Sequence, residues 1–152
     1  MMDSKYAIAD TSQIFSPALL VYRDIVIRNL QKMIGIAGGV NRLRPHCKTH
    51  KMPAVTSIEL AMGIEKHKCA TFAEAEMLAQ CGVKDVFLAY NLVGPNIHRA
   101  VRFLSKYPAV TLAVTADDGL MIAELSEAMS AANLKEVSDE RNGKNAAAYA
   151  RY

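Results

Sequence analysis

Short apolar segments alternate with amphipathic ones along this chain, and glycines close most of the amphipathic segments. Asp85 to Tyr90 and Val110 to Val114 read as buried strands. Lys66 to Ala70 reads as a shorter one, and Leu43 to Lys48 as a fourth, although Pro45 cannot donate to a ladder. Helical spacing follows each. Pro53 suits a first helical position, with Val55, Ile58, Ala61 and Met62 on one face and Gly63 as the stop. Thr71-Phe72-Ala73-Glu74 has the form of a capping box, followed by Met77, Leu78 and Cys81, with Gly82 beyond. Gly94-Pro95 opens a helix with Ile97, Ala100, Val101 and Leu104 inward. Asp117-Asp118 opens another with Met121, Ile122, Leu125, Met129 and Ala132. Before all of these, Ala18 to Tyr22 reads as a short buried strand. A helix follows from about Asp24, carrying Ile27, Leu30, Met33, Ile34 and Ala37, until Gly38-Gly39.

An extra N-terminal helix followed by about four strand–helix units implies parallel strands joined by crossovers, an α/β fold. No glycine-rich phosphate loop opens the first unit, which counts against a dinucleotide fold. A complete (β/α)8 barrel takes about 250 residues, and this chain has 152. The expectation is a partial (β/α)8 barrel over residues 1–133, with 134–152 as a separate tail.

A formal charge of +3 without a basic, aromatic-interleaved stripe excludes a nucleic-acid reader. No apolar run approaches a membrane span. Cys47, Cys69 and Cys81 form no C-x-x-C pair, and nothing at the N-terminus reads as a secretion signal. The expected setting is reducing and cytoplasmic.

Chemistry concentrates in Arg44-Pro45-His46-Cys47-Lys48-Thr49-His50-Lys51. A lysine amine held in a partly dry pocket can lose its proton and form a Schiff base with a carbonyl. Its natural partner is pyridoxal 5'-phosphate, whose ring is an electron sink. Against this stands the commonest fate of a lysine, a solvated surface charge. Arg44 suits a phosphate or carboxylate contact, or a structural ion pair. Cys47 alternates away from Lys48 and reads as packed and inert. His46, His50, His67 and Cys69 match no established zinc spacing, so no metal site is assigned.

The octapeptide, with Ser16 to Tyr22, Lys68 to Glu76 and Gly82 to Tyr90, resembles the D-threonine aldolase and D-serine dehydratase-like family. These are fold-type III pyridoxal-phosphate enzymes with an alanine-racemase-type barrel. The resemblance runs from about Ser16 to Asn133. It implies that Lys48 is catalytic and carries the cofactor at the C-terminal end of the first barrel strand. It also implies that His46 lies beside the cofactor ring and that a small D-amino acid is the substrate. The reaction implied is cleavage of a β-hydroxy-D-amino acid, or, as the alternative, D-serine dehydration. A divalent metal accompanies the family pattern. Its ligands, with a cofactor-facing arginine and the phosphate loops, are expected in parts beyond Asn133 and so absent here. Two other readings are a non-catalytic cofactor-binding module and an inactive remnant. Two open sheet edges suggest pairing into a homodimer.

Overall fold

The computed structural model describes residues 6–134 and, as backbone alone, Val137–Ser138 and Ala148–Arg151. The tail expected at 134–152 otherwise lies outside the described residues. Five helices and five strands follow in the order α1 (Arg23–Ala37), α2 (Pro53–Ala61), β1 (Lys66–Cys69), α3 (Phe72–Gln80), β2 (Asp85–Asn91), α4 (Pro95–Lys106), β3 (Thr111–Ala116), α5 (Gly119–Ala131), β4 (Val137–Ser138) and β5 (Ala148–Arg151).

β1, β2 and β3 are parallel neighbours, with Lys66 opposite Asp85 and Asp85 opposite Thr111. β5 adds to β3 antiparallel, and β4 to β5, so the sheet order is β1-β2-β3-β5-β4. The sheet does not close. It is a partial barrel of three parallel strands interleaved with helices, preceded by the extra helix α1.

Strand alternation divides the sheet into two faces. His67, Cys69, Val86, Leu88, Leu112 and Val114 are buried. All but His67 join one apolar core with Phe72, Ala75 and Leu78 of α3, Ile97, Ala100, Phe103 and Leu104 of α4, and Leu125 and Met129 of α5. Lys68, Phe87 and Ala89 alternate with these residues and lie on the other face, where the Lys68 ammonium sits 5.2 Å from the Phe87 ring centre.

Two expected strands are not built as such. The first strand–helix unit keeps a single parallel bridge, His46 to Lys68, because the backbone turns into a 3-10 turn at Cys47–Thr49 directly afterwards. Ala18 to Tyr22 is irregular, and Leu19 is 80% exposed. An apolar run without a neighbouring strand has no ladder to join.

Helix boundaries follow local chemistry. Gly38 takes φ 75° and donates its N–H to Ile34 and Gly35 carbonyls, closing α1 in a conformation that costs glycine little. Asp118 caps α5 by accepting the Met121 N–H at 2.9 Å. No helix of the described residues is long and apolar enough to cross a membrane.

Candidate functional site

The parallel bridge fixes where the octapeptide sits. With His46 opposite Lys68, the segment enters beside the C-terminal end of β1, and Cys47 and Lys48 follow in the 3-10 turn Cys47–Thr49. Barrel enzymes keep their chemistry at that end.

Lys48 is exposed, and its amine has no hydrogen bond or ion pair among the described residues. Its backbone N–H donates to His46 Nδ1 at 3.2 Å. That bond gives His46 Nδ1 the ring's free electron pair in the neutral form. Partial burial, then the ammonium groups of Lys48 and Lys68, lower the His46 pKa, and Glu74 opposes them only in part. Near neutral pH the ring is therefore uncharged.

Cys47 points the other way. It is 1% exposed, and its Sγ donates toward Glu74 Oε2 at 3.8 Å. Burial, reinforced by the nearby Glu74 carboxylate, pushes the thiol up to about 12. Cys69 is raised further, by burial and then by Cys47 and Glu74. Neither thiol is a nucleophile at neutral pH.

Glu74 anchors this corner. Thr71 Oγ1 accepts the Glu74 N–H at 3.2 Å, as the capping box predicts, but the reciprocal bond goes one residue further back. Glu74 Oε2 accepts the Ala70 N–H at 2.7 Å, and Oε1 faces Lys51 Nζ at 3.4 Å. Burial raises the Glu74 pKa. The Ala70 donor and Lys51 outweigh it, with a smaller contribution from His46, and hold the carboxyl below its ordinary value. Lys51 itself stands at φ 49°, an uncommon conformation for a side chain of its size, and donates its N–H to the Cys47 carbonyl at 2.7 Å.

The expectation that metal ligands are absent from this chain is corrected here. His46, Cys47 and Glu74 each present a ligand atom, and the three atoms lie within 4.8 Å of one another. The four residues considered from sequence do not assemble instead. His50 Nδ1 accepts the Met52 N–H at 3.0 Å. His67, wholly buried, meets Glu59 Oε2 through Nε2 at 3.1 Å.

Three partnerships were not visible in sequence. Glu59 is buried on α2 with Val55 and Thr56, so the helix turns a different face inward from the one its apolar residues suggest. Arg44 grips Asp85 with two nitrogens, at 2.6 and 3.0 Å, and also reaches the His67 carbonyl at 3.5 Å. That is the structural ion pair of the two readings for Arg44. The third is Asn91, whose amide donates to Asp117 beyond β3. Near it, Ala70, Thr71, Tyr90, Asn91, Asn96 and Arg99 border a cavity of about 170 Å³ at the strand ends.

No protein-family model matches the chain. It is 34% identical over 122 residues to the 3-hydroxy-D-aspartate aldolase of Paracoccus denitrificans, covering 78% of this chain and 31% of that protein. A D-threonine aldolase of an Arthrobacter species is 29% identical over 87 residues, 57% of this chain and 22% of that one. Among solved structures, D-threonine aldolase from Filomicrobium marinum superposes with a TM-score of 0.71 at 34% identity, covering 80% of this chain and 32% of its own. The chain thus spans about a third of the length of relatives such as the Paracoccus protein. In sequence and fold it resembles the D-threonine aldolase family of fold-type III pyridoxal-phosphate enzymes, over a partial, unclosed barrel.

Proposed function

We propose that this stretch is the lysine-bearing part of a pyridoxal-phosphate-dependent lyase acting on β-hydroxy-D-amino acids, of D-threonine aldolase type, with Lys48 as the cofactor-linking catalytic residue. The observation that carries the reading is the place of Lys48 in the octapeptide, two residues past the His46–Lys68 bridge at the C-terminal end of β1; Lys48 is exposed there, where a partly dry pocket was expected. The named activities of the relatives supply the substrate class.

The residues present fit the aldehyde end of such a cofactor. An exposed amine at the C-terminal end of β1 is reachable, and no carboxylate among the described residues occupies it. When bound, pyridoxal phosphate supplies an aldehyde and a ring that draws electrons from the substrate's α-carbon. Lys48 Nζ would hold the cofactor through its aldehyde, and as a free amine it could accept or return a proton. His46 fixes the turn by accepting the Lys48 N–H, and its uncharged ring adds no positive charge beside that amine. Arg44 and Asp85 brace the strand on which the site rests.

A second reading, a cofactor-binding module without turnover, is favoured by one fact: the chain spans 31% of the length of the Paracoccus relative. Spectral titration with pyridoxal phosphate, followed by assays on D-threonine, D-serine and 3-hydroxy-D-aspartate, separates the readings. The proposal expects an imine band that Lys48→Ala abolishes, with D-isomer consumption. A band without consumption supports the binding module. No band in the native chain overturns both.

A further inference from the structure

We propose that His46, Cys47 and Glu74 form a binding site for one thiophilic divalent cation of the zinc class. The donor set is one imidazole nitrogen, one thiol sulfur and one carboxylate oxygen. Zinc favours this mixture, whereas magnesium and calcium take oxygen donors. The three ligand atoms already lie within 4.8 Å of one another. Tetrahedral zinc with bonds of about 2.0–2.3 Å needs its ligands roughly 3.3–3.8 Å apart. An inward movement of about an ångström completes the site, less than a side-chain rotation supplies.

Two of the ligands are already oriented. Glu74 starts from the first turn of α3, where Thr71 fixes its backbone, and the Ala70 N–H holds Oε2 on the Cys47 side at 2.7 Å. Lys51 occupies the other oxygen, Oε1, at 3.4 Å. A hydrogen-bonded outer oxygen is the usual support for a ligating carboxylate. His46 supplies a ring nitrogen; where that is Nδ1, the cation competes with the Lys48 N–H, a contact of 3.2 Å on an exposed turn that water can replace.

The charge balance is simple. The Cys47 S–H bond breaks, its proton leaves to solvent, and an S–metal bond forms, with no change of oxidation state. The cation takes the place of the proton that Cys47 now directs toward Glu74. A thiolate, a carboxylate, a neutral imidazole and a divalent ion sum to zero, and the Lys51 ammonium paired with Glu74 is mostly exposed, so the corner gains no buried net charge. Three protein ligands leave a fourth position for water. The site does not depend on any role for Lys48.

Cobalt(II) tests it, added alone to the cofactor-free chain. The expected result is a thiolate-to-cobalt charge-transfer band in the near ultraviolet, saturating at one equivalent, with about one proton released per ion. Cys47→Ala should weaken binding about a hundredfold or more, at or beyond the upper end of what loss of a supporting outer group costs. Glu74→Gln should also weaken it while keeping an oxygen for the Ala70 N–H. Cys69→Ala, which removes the neighbouring thiol outside the group, should leave the band intact. No charge-transfer band, a band that survives Cys47→Ala in a chain with native circular dichroism, or a band lost only with Cys69 overturns the proposal.

Discussion

Cys47 and Lys48 are consecutive and face opposite environments, one 1% exposed and the other in solvent. The packed Cys47 was readable in the octapeptide, but Lys48 was expected in a partly dry pocket at a strand end, and the 3-10 turn at Cys47–Thr49 puts it in solvent instead. The Glu59–His67 pair was not, because its members lie on α2 and β1 and nothing in either segment marks the other. Its energetic weight is testable. His67 is wholly buried, and its Nδ1 has no hydrogen-bond partner among the described residues. Glu59→Ala strips the Nε2 partner too, leaving the ring buried and unsatisfied at a cost of about 1–3 kcal/mol. A urea unfolding midpoint lowered accordingly, with Glu59→Gln retaining part of the loss, is the expected outcome. An unchanged midpoint contradicts it. The metal-competent group was also illegible: His46 and Cys47 stood in the motif, but Glu74 read only as half of a capping box.

At the level of elements, β2 and β3 were legible because β-branched and aromatic or other apolar residues recur in them, and β1, Lys66–Cys69, because it lies between the Gly63 stop and the Thr71 cap. The strand expected from Leu43 to Lys48 is not built. His46 caps a 3-10 turn by accepting the Lys48 N–H, which takes the chain out of the ladder after one bridge. The α3 cap was legible in kind, though Glu74 answers Ala70 where a capping box would answer Thr71. Thr71→Ala removes the acceptor for the Glu74 N–H. It should cost about 0.5–2 kcal/mol, read as a lower melting temperature. Arg44 joins the segment before the turn to the start of β2 through Asp85, with both side chains about three-quarters buried. Asp85→Ala should cost about 1.5–3 kcal/mol, the range for hydrogen bonds to charged groups. A change within about 0.5 kcal/mol, the usual range for surface substitutions, would show that the pair only decorates the sheet edge.

The whole molecule is a sheet with helices on one face and little on the other. Phe15 is 92% exposed, Leu19 80% and Ile36 79%. These side chains have no cover among the described residues, and the sheet edge beyond β1 is met only by the His46 bridge. Self-association in solution is the expected consequence. Sedimentation should give a mass above the 16.6 kDa of one chain, rising with concentration. A constant monomer mass contradicts this. The core makes a separate prediction. Burial raises the pKa of all three thiols, but Cys47 and Cys69 are buried whereas Cys81 is half-buried. Alkylation at neutral pH should therefore mark Cys81 first and reach the other two only on unfolding.

The central claim concerns one amine among several nearby. Lys68 rests against Phe87, and Lys51 pairs with Glu74, whereas Lys48 is unengaged among the described residues. Borohydride reduction of the chain mixed with pyridoxal phosphate, followed by peptide mass mapping, reads which lysine reacted. The account predicts one stable pyridoxyl group per chain, on Lys48. A group on Lys51 or Lys68 instead, or label scattered over surface lysines, would contradict it.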